Sequence, residues 1–563
     1  MTSEKPKKAA IFLALILICA GFVIRILPFL SPGETLFERA PLHDDSFYCY
    51  TIARNIALGH GVTHDGVHPT NGFQPLFVFI SVPFFAMGHE SLTLPIRLIG
   101  FFQAFLAVLT GLLLFNMTRK LSSARGALVA LGIWSLSDYF IAESVNGMET
   151  GLAFFFMLLS LKIYLKACEE NSTGYYWILT GIFLGLSILS RVDSAVFAFS
   201  LGLHGCVTVV RRRSSKALIR VAAMTLVTML IIAPWLIWNR ASFGSWLPES
   251  GKATRTISLA YGMRMVTGEN EYFSFDSIPS DYYRSSAKHS LMVYFGRPLL
   301  TPFSAMTYAV TSRAGTRYGG PLEWRWIAYS HAGFLVFFIL FFRKKALLLI
   351  GRLFGRYYYL GLYAIFLAGA YSLYQFGQWW FFRYYFPVLA LGLILTGCAY
   401  QVCFDAIKKR TGLARLFFIA VIALSLCSLL TVYAERDYRK FLSPQAKGGA
   451  YEHYIRAKFM REVFKPEVKL GSFQSGVASY LLPQHTVVGL DGVVNSQAFK
   501  AILNKKVIDY IKEEEIKYVV DWPIVVNDLL YQRSGTEVMQ SLEPSLIPIA
   551  DIQFGVFKVV DEE

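Results

Sequence analysis

Charged residues are scarce: Asp, Glu, Lys and Arg make up 16% of the 563 residues, against about 25% in an ordinary soluble domain. That scarcity excludes a soluble globular enzyme. Cysteine is sparse too, seven in all and with no CxxC pair. Cys19, Cys168, Cys206, Cys398, Cys403 and Cys427 lie in or beside apolar runs and only Cys49 in a polar loop, so neither a disulfide framework nor a cysteine metal pair is indicated. The chain has no GxGxxG and no Walker motif, hence no nucleotide site, and no internal repeat or low-complexity segment. Acids are outnumbered, 38 against 54 Lys and Arg, for a net charge of +16. The basic residues fall in short clusters between apolar runs, as in cytoplasmic loops, so no nucleic-acid partner is expected.

What replaces charge is apolar sequence: 55% of residues are hydrophobic and the mean hydropathy is +0.45. Runs of about 20 apolar residues can cross a bilayer core of roughly 30 Å as helices. Eleven are clear, at residues 9–30, 94–117, 127–141, 150–167, 175–190, 194–210, 217–238, 326–342, 357–374, 384–404 and 416–432. The fold class is therefore a polytopic α-helical membrane protein. Lys5, Lys7 and Lys8 before the first run have the charge order of a signal peptide. The run outlasts a signal core of about 7–15 residues and no small-x-small site follows, so it reads as a retained first span.

A further run, residues 73–88, is short, and whether it crosses decides the sidedness of everything after it. If it does not, Arg119/Lys120/Arg125, Arg211/Arg212/Arg213/Lys216, Arg343/Lys344/Lys345 and Lys408/Lys409/Arg410 all share the side of the N-terminal lysines. If it does, all four switch against the positive-inside bias. It is read as a helix lying in the interface or re-entering it. The N-terminus is then cytoplasmic, and the outer side collects loop 31–72, the turns 143–149, 191–193 and 375–383, loop 239–323 and the tail. Residues 1–433 form the membrane domain. Residues 434–563 form an extracytoplasmic domain whose β-rich runs 468–473, 486–490 and 518–521 and helical stretch 497–515 suggest a small α/β fold.

The densest chemistry lies in the first outer loop, with His43-Asp44-Asp45-Ser46-Phe47-Tyr48, then Ala53-Arg54-Asn55, Gly59-His60-Gly61 and His68-Pro69-Thr70-Asn71-Gly72-Phe73-Gln74-Pro75. Adjacent carboxylates beside a membrane can deprotonate a hydroxyl, hold a divalent cation through hard oxygen ligands, or divide those tasks. The competing reading is that Asp45 caps a helix over residues 46–58 while Asp44 is merely solvated. Other outer groups are Glu149 after Asn146-Gly147-Met148, Arg191 and Asp193 in Ser190-Arg191-Val192-Asp193, and Lys252 after Gly244-Ser245-Trp246-Leu247-Pro248-Glu249-Ser250-Gly251. An acid in a first helical turn suits the macrodipole, an arginine can snorkel, and Gly-Ser and Leu-Pro mark turns. Ionisable residues at membrane depth are nevertheless functional candidates by default. The stretch Gln378-Trp379-Trp380-Phe381-Phe382-Arg383-Tyr384-Tyr385 reads either as an interfacial aromatic belt or as an isoprenoid groove ending at Arg383.

Taken in order, Asp-Asp, Arg-Asn, Gly-His-Gly, Thr-Asn-Gly-Phe-x-Pro, Gly-Met-Glu-Thr, Arg-x-Asp and Gly-Ser-x-Leu-Pro resemble the GT-C membrane glycosyltransferases. The pattern is most similar to bacterial relatives of the mycobacterial arabinofuranosyltransferases and, more distantly, to lipid A aminoarabinose transferases and protein O-mannosyltransferases. It covers residues 44–252 and, more loosely, 383–387 and the tail motif Gly471-Ser472 with Leu490-Asp491-Gly492-Val493-Val494-Asn495. The resemblance implies a GT-C-like fold with interfacial helices in the bacterial cytoplasmic membrane. It also implies sugar transfer from a polyprenyl-phosphate donor to a glycan, lipid or protein acceptor of the cell envelope on the outer face. The family places its base in the first outer loop, matching Asp44 or Asp45. Sugar and acceptor differ among relatives, so their identity does not carry over.

The chemistry of the residues is compatible. A carboxylate of pKa about 4 can take a sugar-hydroxyl proton only as it leaves. Asp44 is preferred as base because Asp45 has the competing cap role. The departing phosphate calls for cations and donors, and Arg191, Lys252, Arg383, His60 and His68 are the outer-face supply, with Glu149 and Asp193 completing the candidate set. Arginine is favoured where a phosphate is gripped by two parallel hydrogen bonds. A transporter or flippase of lipid-linked sugars, whose charges belong near the midplane on broken helices, and a non-catalytic envelope-assembly scaffold remain the alternatives.

Overall fold

The computed structural model describes residues 8–169, 172–267, 351, 355, 357–374, 382–384, 386–413, 415, 416, 419, 449–526, 542–549 and 552–560. Among them, six helices are long and apolar enough to cross a membrane. These are α1 (Lys8–Ile26, continued by a 3-10 turn to Leu30), α5 (Leu94–Leu121), α8 (Thr150–Ala167), α10 (Ser194–Arg212), α11 (Ser215–Phe243) and α14 (Phe386–Lys408). Shorter apolar helices lie between them: α4 (Pro75–Met87), α6 (Ala124–Leu136), α9 (Tyr175–Ser190) and α13 (Tyr358–Tyr374). The polar connections carry α2 (Thr35–Arg39), α3 (Asp44–Ala57), α7 (Asp138–Ser144) and α12 (Glu249–Thr267). Leu218, Ile219, Leu226, Met229, Leu230 and Ile237 stay exposed along α11, as expected of a surface whose solvent is lipid. The protein is a multi-pass membrane protein. The runs at 326–342 and 420–432 and the boundary at 433/434 lie outside the described residues.

Helix lengths bear on two expectations, in agreement with the non-crossing run at 73–88 and against the span at 127–141. Helix α4 has 13 residues, roughly 20 Å at 1.5 Å per residue, too short for a hydrocarbon core of about 30 Å. Residues 127–141 are not one span: the helix stops at Ser137, whose backbone is extended, and restarts as α7. The reason lies on α1, where the buried guanidinium of Arg25 donates to Trp134 O at 2.8 Å and Ser135 O at 3.4 Å before the break and to Phe140 O at 3.3 Å and Ser144 Oγ at 2.8 Å after it. The first two bonds take up carbonyls that the break would otherwise leave unsatisfied.

The basic clusters gather at one end of the helices. The α5–α6 turn holds Arg119, Lys120 and Arg125, and Ser123 caps α6 by accepting from the Arg125 and Gly126 N–H groups. Gly126 and Gly397 let α6 and α14 touch backbone to backbone, and Ser123 bonds Gln401 two turns before Lys408. Arg343, Lys344 and Lys345 lie outside the described residues.

After residue 449 the chain forms a small α/β unit comprising α15 (Tyr451–Val463), β1 (Leu470–Ser472), α16 (Gly476–Leu481), β2 (Val487–Gly489), α17 (Ser496–Leu503), α18 (Val507–Glu513), β3 (Tyr518–Asp521), α19 (Pro523–Val526), β4 (Leu542–Ile549) and β5 (Ile552–Val559). The sheet order is β2-β1-β3-β5-β4, with β2, β1 and β3 parallel and β5 antiparallel to both β3 and β4. The helical stretch expected over 497–515 is two helices, broken where Lys505 takes a left-handed φ of 62°. This unit packs on α2 and α3, burying Leu36, Phe37, Phe47 and Tyr50 with Tyr454, Val477 and Tyr480 in one core.

Candidate functional site

Helix α3 starts at Asp44, after His43 in extended conformation, and neither aspartate caps it through its side chain. The expected cap role of Asp45 is therefore absent. The two carboxylates point to different neighbours. Asp44 Oδ1 accepts the Val477 N–H at 2.8 Å and lies 3.7 Å from His453 Nδ1, with its side chain 11% exposed. Asp45 Oδ2 accepts from Arg383 Nη2 at 2.5 Å, yet its side chain keeps 43% exposure against 10% for Arg383. Asp45 is thus an open carboxylate among near-buried neighbours.

Their ionisation diverges for the same reason. Burial pushes Asp44 up to about 7, with Arg456 and the Val477 N–H opposing it only in part. At Asp45 burial again favours the neutral form, but the charge and hydrogen bond of Arg383 outweigh it and hold the carboxyl below the usual range. Burial lowers His43 and His453 to about 4, so both imidazoles are neutral at physiological pH.

A second cluster adjoins the first through aromatic rings. Arg191 donates from Nη1 to Glu149 Oε1 at 2.8 Å, from Nε to Asp193 Oδ1 at 3.1 Å and from Nη2 to Asp193 Oδ2 at 2.8 Å, with Tyr371 Oη at 3.4 Å from Nη2. Tyr371 also donates to Asp193 and stacks on Tyr384 at 4.7 Å. The guanidiniums of Arg191 and Arg383 lie 5.6 and 5.4 Å from the Tyr384 ring centroid. Asp193 lies below the ordinary carboxylate range because Arg191 outweighs its burial. Arg191 has no fork left for a phosphate. Its three nitrogens tie the α9–α10 turn to the start of α8 and to α13.

The remaining candidates are dispersed. His68 Nδ1 donates to Asp65 Oδ2 at 2.7 Å and its Nε2 lies 3.3 Å from Glu514 Oε1, so it braces the loop after α3 against the C-terminal unit. The Asp65 hydrogen bond raises its pKa. His60 and Lys252 project exposed, and neither forms an ion pair among the described residues. The Thr-Asn-Gly motif is a joint: Asn71 is fully buried, donates to Asn239 Oδ1 at 3.1 Å and accepts the Glu249 N–H at 3.1 Å. A Cβ at Gly72 would lie 2.0 Å from Val493 O, so only glycine lets the C-terminal unit close on it.

Glu143 was missed as a site residue. It bonds Asn146 Nδ2 at 3.0 Å, and burial raises it to about 7 despite Arg383 and Arg191. Tyr371, at the end of an apolar helix, carried no sequence signal. Among the described residues no group of three or more His, Cys, Asp and Glu side chains is arranged to hold a metal ion. Asp44 and Asp45, the pair expected to serve if any did, are turned to separate partners.

A family model described as dolichyl-phosphate-mannose-protein mannosyltransferase matches residues 75–238. The match includes Glu149, Arg191 and Asp193 and begins after Asp44 and Asp45. A comparison with curated proteins finds no match. Among solved structures, the oligosaccharyltransferase AglB from Archaeoglobus fulgidus, in complex with an inhibitory peptide and a dolichol-phosphate, matches with 16% identity and a TM-score of 0.57 over 98% of this chain and 74% of that one. ArnT from Cupriavidus metallidurans bound to undecaprenyl phosphate matches with 12% identity and a TM-score of 0.54 over 98% of both chains. The chain has the GT-C fold. In this fold the start of α3 and the Arg191 turn lie at the end of the helices opposite the α5–α6 and α14 basic clusters, since Asp45 pairs with Arg383 just before α14 and Ser123 bonds Gln401 toward its other end.

Proposed function

We propose that this protein is a glycosyltransferase that moves a sugar from a polyprenyl-phosphate-linked donor to an acceptor hydroxyl on the extracytoplasmic face of a bacterial cytoplasmic membrane. In this reading the N-terminus is cytoplasmic, and residues 1–433 form the catalytic membrane domain with 434–563 outside it. The observation that carries it is Asp45, a partly exposed carboxylate held ionised by Arg383 at the start of a loop helix in a GT-C fold. Geometry ranks ahead of pKa in choosing a base, and Asp45 is the more accessible of the two aspartates. Asp45 accepts the acceptor's O–H proton as that oxygen bonds to the anomeric carbon. The lipid phosphate leaves with the electron pair of the broken C–O bond. Arg383, already oriented by Asp45 and by Met148 Sδ at 3.0 Å from Nη1, is the cation nearest this exchange and offsets the charge that develops. The buried Arg191 network fixes the surrounding loops. A divalent cation at Asp44 and Asp45 is not required by this scheme, and no step runs through one.

The test supplies purified protein in detergent with a panel of radiolabelled undecaprenyl-phosphoryl pentoses and hexoses and a cell-envelope glycan and lipid extract. Transfer of label that is lost in Asp45→Asn supports the reading. Binding without transfer from any donor refutes it in favour of transport or scaffolding.

A further inference from the structure

Helix α16 of the C-terminal unit is held at both ends by α3. Its first turn gives the Val477 N–H to Asp44 Oδ1 at 2.8 Å. Its last turn gives the carbonyls of Ser479 and Tyr480 to Arg54 Nη2 and Nη1 at 3.0 and 2.6 Å, with the guanidinium 5.0 Å from the Tyr480 ring centroid. A cation at the C-terminus matches the partial charge of the helix there, and hydrogen bonds from an ionised donor are the stronger kind. The approach is close enough that a Cβ on Gly476 would lie 2.3 Å from Asp44 O. Tyr48, one turn past Asp44, accepts the Ser475 N–H at 3.2 Å.

Behind α16 the contact is rigid. Arg456 and Asp521 form a fully buried ion pair at 2.7 Å. Asp521 Oδ2 also accepts from Ser472 Oγ at 2.9 Å and from the Phe473 and Gln474 N–H groups at 2.8 and 2.9 Å. The loop entering α16 is thus pinned to the sheet through both oxygens of Asp521. His453 stacks on Trp522 at 5.3 Å and abuts Asp44 from the other side. The Val477 and His453 contacts fall on the helical turn that carries Asp45, and Arg54 grips the same α16 from further along α3.

We infer that the C-terminal unit is a positioning element of the active site, and that Asp44 and Arg54, by clasping α16, set the direction in which Asp45 meets the acceptor hydroxyl. The inference rests on Asp45 being the base. It differs from simple docking, for which the molecule holds a second joint remote from Asp45: Arg461 donates to both oxygens of Glu34 at 2.9 and 3.0 Å, and Tyr454 Oη joins them at 3.1 Å.

The experiment measures transfer kinetics of the full chain with the panel sugar that the unaltered protein transfers. Misplacement of a reacting group by about 1 Å can lower the rate about 100-fold. Gly476→Ala, which pushes α16 off α3 without altering charge, and Arg54→Met should therefore lower kcat by about 10- to 100-fold with donor KM changed less than about threefold. Arg54→Lys, which keeps a cation at the last carbonyls, should recover most of the loss, and Arg461→Gln should stay within about twofold of the unaltered protein. If Arg54→Met does not fold, Gly476→Ala and Arg54→Lys carry the test. Unchanged kcat in Gly476→Ala, a loss carried by KM, or an equal loss in Arg461→Gln overturns the inference while leaving Asp45 in place. Full activity in Asp45→Asn removes the base assignment instead.

Discussion

Arg191 and Arg383 look interchangeable along the chain, each a cation at a helix end, and they flank the same tyrosine ring at nearly the same distance. Their partners separate them. Arg191 is 7% exposed and spends its nitrogens on Glu149, Asp193 and Tyr371, whereas Arg383 pairs with a carboxylate that is itself 43% exposed. Net charge therefore says little about which cation serves a ligand. What decides is whether the carboxylate it pairs with is itself open to a ligand.

Replacing the exposed acid should give the largest change. Asp45→Asn keeps the shape and the contact to Arg383 but removes the basicity, and we expect kcat to fall about 10²- to 10⁴-fold with the fold intact. Because Arg383 holds Asp45 below the usual carboxylate range, the acid limb of the unaltered enzyme's kcat profile should begin below pH of about 4; an inflection near 6 would contradict this pairing.

Arg191→Lys is expected to act on stability. It retains charge and loses the fork, so thermal unfolding should register a loss of roughly 1–3 kcal/mol, with donor KM nearly unchanged in the protein that remains folded. A raised KM at unaltered Tm would reverse the contrast between the two arginines. Arg383→Lys should do the opposite, lowering kcat/KM by about tenfold, or about 1.4 kcal/mol, at nearly constant Tm.

The smallest effect concerns the neighbouring aspartate. Asp44 titrates at about 7 in the folded chain and at about 3.9 when unfolded. The native state holds a proton that the unfolded state lacks across that window, so this group's stabilising contribution is complete below about 4 and is lost as pH rises to 7. Asp44→Asn cannot ionise and should flatten the decline in Tm between pH 5 and 8. A decline as steep as in the unaltered protein would mean that Asp44 is ionised throughout.

Hydropathy made the membrane part legible, down to the ends of Thr150–Ala167 and Tyr175–Ser190. It failed at Ser137, because the break depends on Arg25 reaching across from another helix. The β4–β5 hairpin was invisible for a different reason. Pro544 and Pro548 argue against a strand, and they are accommodated because β4 is the sheet's edge. The candidate residues are legible as chemistry-bearing types, but partnership is tertiary information. Nothing local to Asp44 announces Val477, and nothing local to Asp45 announces Arg383, so the preference between the aspartates rested on a helix cap that does not form.

The Asp44–Val477 bond joins positions 433 residues apart. A ribosome reaches residue 44 long before residue 477, so through that interval the turn bearing Asp45 is a helix terminus without its clasp. Closure over so long a separation is entropically late. Completion of the site thus waits on synthesis of α16, and a chain interrupted before residue 477 carries both aspartates without the partner that aims them.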